Sequence, residues 1–124
     1  MAEIEITREK KFAGALLPYW LITGISKEAL QQQYGLEGDF CKTHQGQPVA
    51  RLDVETLDKI GVRIANGETK TIECGKSVFV STIYGAFSNE ILLDEVSPNG
   101  VYPKLLIKTK GGFIRPSYPV LSVL

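Results

Sequence analysis

The sequence predicts a mainly β fold, a β-rich α+β domain built as an antiparallel β-sandwich or partly open barrel, with two short helices inserted near residues 27–34 and 54–60. Three observations predict it. Short runs of strand-forming residues alternate with turns rich in Gly, Pro and Asn; the chain from Val62 onward is almost wholly of this kind; and the clear helix-punctuating signals fall between Gly24 and Gly61. At 124 residues, 44% apolar and 23% charged, the whole of 1–124 reads as a single β-rich domain able to bury its own core.

Glu3-Ile4-Glu5-Ile6-Thr7 alternates with period two and opens the fold as a strand, followed by Arg8-Glu9-Lys10-Lys11 as a charged, solvated stretch. Phe12 to Thr23 is apolar, but Gly14 and Pro18 argue for two strand pieces with a bend rather than a helix. The first helix is expected from Lys27 to Tyr34, with Ser26 as N-cap, Ile25 and Leu30 as a hydrophobic staple, and Gly35 ending it. Glu37-Gly38-Asp39 and Gln45-Gly46-Gln47-Pro48 mark turns. The second helix is expected from Val54 to Ile60, with Asp53 as cap, Leu52 and Leu57 as staple, Glu55 in the first turn and Gly61 as terminator.

Val62 and Ile64 share parity with Ile72, so a hairpin with a three-residue Ala65-Asn66-Gly67 loop and a left-handed Gly67 is expected there. After a turn at Gly75-Lys76, Ser77 to Tyr84 is the strongest strand, its continuous apolar character pointing to burial on both faces. Asn89 to Val96 gives another. Lys104 to Lys110 sets Leu105 and Ile107 against Lys104, Leu106 and Lys108, and Gly111-Gly112 turns into Phe113-Ile114-Arg115. Pro116 and Pro119 confine the apolar tail, Val120 to Leu124, to a sheet edge.

Charge and composition narrow the function. Lys plus Arg balance Asp plus Glu, so no overall field draws the chain to nucleic acid or anionic lipid. The acidic N-terminus does not read as a secretion signal and no apolar run reaches membrane length, so a soluble, cytoplasmic protein without a membrane partner is expected. Cys41 and Cys74 read as free thiols.

Several groups could carry chemistry. Asp39, Cys41 and His44, with Cys74, supply zinc-ligand types, and Cys41 with His44 could pair as nucleophile and base in a small metal- or thiol-dependent enzyme. The paired ligand clusters of a zinc site and the context of a nucleophile motif are both missing, so neither a metal, a cofactor nor a catalytic residue is assigned. Asp53, Glu55 and Asp58 are explained by capping, the helix dipole and an exposed helix face. Lys104, Lys108, Lys110 and Arg115, interleaved with Tyr102, Phe113 and Tyr118, could hold single-stranded nucleic acid on a β face; a lysine-protected edge strand explains them more simply. Trp20, Tyr84, Phe87 and Asn89 could form an aromatic and amide platform for a carbohydrate or peptide, with core packing as the simpler role for Trp20.

Ile6-Thr7-Arg8 with Lys10-Lys11, the long apolar strand to Ile22, Asn66-Gly67-Glu68 before a short strand and Ser88-Asn89-Glu90-Ile91 before another resemble small bacterial β-sandwich proteins of unknown function, PEGA-like and related domains. The resemblance covers residues 4 to 22 and 62 to 94 and implies a β-sandwich with a binding or accessory role. The helices between Gly24 and Gly61 depart from it. The expectation is therefore a non-catalytic ligand- or protein-interaction module meeting its partner through edge strands or the aromatic segment, with the C-terminal strand able to complete a neighbour's sheet in a homodimer.

Overall fold

The computed structural model describes residues 3–10, 18–34, 43–44, 47–48, 54–73, 75–82, 87–93, 104–110 and 118–124. Among the described residues, ten strands and two helices run in the order β1 (Glu3–Arg8), β2 (Tyr19–Ile22), α1 (Lys27–Tyr34), β3 (Thr43–His44), β4 (Gln47–Pro48), α2 (Val54–Ile60), β5 (Val62–Ile64), β6 (Thr69–Glu73), β7 (Ser77–Ser81), β8 (Ile91–Leu92), β9 (Leu105–Lys110) and β10 (Tyr118–Val123). They form two separate four-stranded sheets, ordered β10-β9-β1-β6 and β5-β2-β7-β8, and a small pair, β3-β4. Among the described residues every ladder is antiparallel except β1 with β9, which run parallel. The mainly β architecture with two short helices is as the sequence predicts, in its sandwich form.

Strand parity builds the layers. Ile4 and Ile6 of β1, Leu105 and Ile107 of β9 and Leu121 of β10 face Tyr19, Leu21, Ile64, Val78, Val80 and Ile91 of the second sheet across one apolar core. The opposite face of the second sheet presents Trp20, Ile22 and Phe79 to Leu30 of α1 and Leu57 of α2. The molecule thus has three layers, sheet on sheet on helices, and β2 and β7 are buried along their whole length. That double burial is what the continuous apolar run of β7 encodes.

Both helices occupy the spans expected of them. Ser26 caps α1, its Oγ accepting from Ala29 N–H at 3.2 Å and its carbonyl from Leu30 N–H at 3.0 Å. Glu90 adds a cap from outside the helix, Oε2 accepting from Lys27 N–H at 2.8 Å. Ile25 and Leu30 of the staple lie in the same apolar layer. Gly35, Leu52 and Asp53 lie outside the described residues. Gly61 follows α2 without the left-handed backbone of a helix-ending glycine; a Cβ there would meet Leu21 O at 3.0 Å and Trp20 Cβ at 3.2 Å, a tight approach over β2 that glycine eases.

Four local expectations are corrected. β5 and β6 are not a hairpin but belong to different sheets; the turn between them is tight, with Glu68 N–H donating to Ala65 O at 3.0 Å and Gly67 at φ 77°, yet it sits at a sheet corner. Ile64 and Ile72 do face one core, from opposite sheets. Arg8 is not solvated: it continues the inward parity of Ile4 and Ile6 and is 1% exposed. Of the strand expected from Asn89 to Val96, Ile91–Leu92 is strand, Asn89, Glu90 and Leu93 are not, and residues 94–96 lie outside the described residues. Gln47 and Pro48, expected in a turn, form β4 opposite Thr43 and His44.

Candidate functional site

Of the expected platform of Trp20, Tyr84, Phe87 and Asn89, the two described aromatics, Trp20 and Phe87, lie inside the fold. Trp20 is fully buried in the layer between the second sheet and the helices, and Phe87 packs edge-on to Phe79 in the same layer at 5.5 Å. Trp20 spends its one polar atom on α2, Nε1 donating to Asp58 Oδ1 at 2.9 Å. Asp58 also receives Arg63 Nε and Nη2, each at 2.8 Å, a bidentate pair spanning the end of α2 and β5. The Arg63 bonds, and then the Trp20 bond, hold the Asp58 carboxyl down to about 2 from its ordinary value of 3.8. Asp58 thus lies on the exposed helix face expected of it, but its work is to tie α2 to the sheet. Tyr84 lies outside the described residues.

Asn89 has a structural task that sequence reasoning missed. Its carboxamide accepts from Leu121 N–H at 2.9 Å and donates to Leu121 O at 2.8 Å, imitating one residue of a neighbouring strand against β10. Ser88 and Glu90 on either side are equally engaged. Ser88 Oγ accepts from Val80 N–H at 2.8 Å, and Glu90 Oε2, besides capping α1, accepts from Ser77 Oγ at 3.0 Å. The segment joins β7, α1 and β10, and no signal in the sequence marks this, because each partner is remote in the chain.

Lys104, Lys108 and Lys110 are exposed and share the outer face of the first sheet. β9, however, is an interior strand between β10 and β1, so edge protection does not explain them. The parallel register with β1 sets an acidic row beside the lysines: Lys104 Nζ lies 3.2 Å from Glu5 Oε2, and Glu9 N–H donates to Ile107 O at 2.8 Å, beside Lys108. Arg115 and Phe113 lie outside the described residues, as do Asp39, Cys41 and Cys74. His44 is placed only through its backbone, opposite Gln47. Among the described residues no group of His, Cys, Asp and Glu is placed to hold a metal, and no helix is long and apolar enough to cross a membrane.

What remains distinctive is the treatment of the sheet edges, where unpaired backbone groups can capture another strand. Among the described residues the outer strands are β10, β6, β5 and β8. The tail does form an edge strand, as Pro119 implies, but a blocked one: Pro119 has no N–H to offer and Leu121 is plugged by Asn89. β5 is three residues long, and its last carbonyl, Ile64 O, accepts from Arg8 Nη1 at 3.0 Å. Arg8 reaches it from the first sheet, lying 3.7 Å over the Tyr19 ring, whose hydroxyl bonds Thr109 Oγ1 at 2.8 Å. Burial lowers the Arg8 pKa from its ordinary value, an effect opposed by Tyr19. β8 is two residues long.

β6 differs from all three. Arg8 N–H donates to Glu68 O at 2.9 Å, which makes Arg8 and Glu68 a hydrogen-bonded pair and, by alternation, Ile6 with Lys70 and Ile4 with Ile72 as well. Thr69, Thr71 and Glu73 therefore turn their N–H and C=O groups away from β1. All three are exposed, and among the described residues no strand lies beyond them. No protein-family model matches the chain, and neither do the curated proteins or the solved structures searched, so the resemblance to PEGA-like domains rests on the quoted residues alone.

Proposed function

We propose that this domain is a non-catalytic protein-interaction module that binds an extended segment of its partner by strand addition to β6. The observation that carries the reading is the row of outward backbone groups on Thr69, Thr71 and Glu73 in a sandwich whose other edges, among the described residues, are short or plugged. Of the alternative binding residues Trp20, Tyr84, Phe87 and Asn89, the described ones are engaged within the fold, Trp20 with Asp58, Phe87 in the helix-side core and Asn89 with Leu121, which favours an edge as the binding surface.

Amide hydrogen exchange with a capped octapeptide of alternating valine and threonine tests this. The expected result is new protection at the Thr69, Thr71 and Glu73 amides, abolished in Thr71→Pro, which removes an outward donor while sparing the Lys70 and Ile72 bonds to β1. Unchanged exchange along β6 at saturating peptide would refute it.

A further inference from the structure

We infer that the segment recognised at β6 is basic on its outward-facing side, carrying lysine or arginine opposite Glu73. This rests on the reading of β6 as the binding edge and adds the chemistry of the partner. Glu3 and Glu73 stand directly opposite each other across the β1-β6 ladder, both exposed, at one of the closely spaced non-hydrogen-bonded positions. Like charges facing each other in this way are unfavourable. Elsewhere on the outer face an acid of β1 does have its cation: Glu5 Oε2 lies 3.2 Å from Lys104 Nζ. Among the described residues neither Glu3 nor Glu73 makes an ion pair. A strand added beyond β6 would set its outward side chains in line with these two acids, so a cation there would offset their like charge.

A second copy of the chain meets this requirement poorly. Two β6 strands pairing antiparallel about Thr71 would place Thr69 of one copy opposite Glu73 of the other and Lys70 opposite Ile72, leaving the Glu3-Glu73 pairs uncompensated. Lys70 is half-buried on the inner face of the same strand, a charge that discourages flat self-association. The charge pattern thus favours a foreign, basic strand over self-pairing.

The test titrates the full chain with three capped octapeptides, alternating valine with lysine, threonine or glutamate, and follows the backbone amides of β6 by NMR. The lysine peptide is expected to bind about ten-fold more tightly than the glutamate peptide at low salt, with its shifts centred on Thr69, Thr71 and Glu73. Glu73→Gln, an exposed change that leaves the fold intact, should bring that ratio to within about two-fold, and Thr71→Pro should remove binding of every peptide. Equal binding of all three peptides at β6 would overturn the basic partner while leaving strand addition standing. Shifts confined to other surfaces, or self-association through β6 in place of peptide binding, would overturn both.

Discussion

Replacing Asn89 by alanine should loosen the β10 edge by an amount set by two contacts. The carboxamide makes hydrogen bonds of 2.8 and 2.9 Å to the carbonyl and amide of Leu121, both partly shielded from water. A net contribution of about 0.5–1.5 kcal/mol for each, reduced because water can reach the vacated edge, gives a loss of about 1–2 kcal/mol. For a chain of 124 residues this corresponds to a fall in Tm of roughly 4–8 °C. The diagnostic readout is local. The Leu121 amide, protected in the parent chain, should exchange at a rate close to that of an open edge amide, while its neighbours bonded to β9 stay protected. Asn89→Asp should sit between parent and alanine, because it keeps an acceptor for the Leu121 amide but turns a carboxylate toward the Leu121 carbonyl. If Asn89→Ala leaves the Leu121 exchange rate and the urea midpoint unchanged, the claim that a side chain closes this edge is wrong.

Three further outcomes follow from the same contacts. Asp58 has a folded pKa below its unfolded one, so its contribution to stability is complete above about pH 4 and is lost as pH falls toward about 2; Asp58→Asn should flatten that part of the acid-unfolding profile followed by circular dichroism. Arg8→Met removes the Ile64 carbonyl's donor and the stacked cation over Tyr19, and should cost about 2–4 kcal/mol in chemical denaturation, whereas a solvated arginine would cost almost nothing. Gly75→Ala places a Cβ 2.6 Å from the Thr23 carbonyl oxygen and should destabilise by about 1–3 kcal/mol, read as a lowered thermal midpoint.

The parts of this fold that could be read from the sequence are those whose causes are local. Ser26, Ile25 and Leu30 act within one helical turn and delimit α1; the buried character of β7 is written in consecutive residues; and the left-handed Gly67 follows from its turn. Sheet order is different in kind, since it depends on which remote strands find each other. β9 carries the lysine alternation of an edge strand yet lies inside its sheet, and the parity linking Ile64 to Ile72 is the same whether they share a sheet or face each other across a core. Arg8 was legible in principle, because it keeps the parity of Ile4 and Ile6, but its charge argues for solvent until the Ile64 carbonyl and the Tyr19 ring are in view. Asn89 and the β6 edge, open among the described residues, had no local signature: each is defined by what lies beyond a strand.

The central claim is that β6 offers an open edge while β10 does not, and residue-resolved amide exchange of the isolated chain tests it without any partner. An alternating pattern is expected along β6, with Lys70 and Ile72 protected by β1 and Thr69, Thr71 and Glu73 exchanging rapidly, together with a protected Leu121 on β10. Uniform protection from Thr69 to Glu73 would mean that another segment already occupies the edge, and would contradict the account.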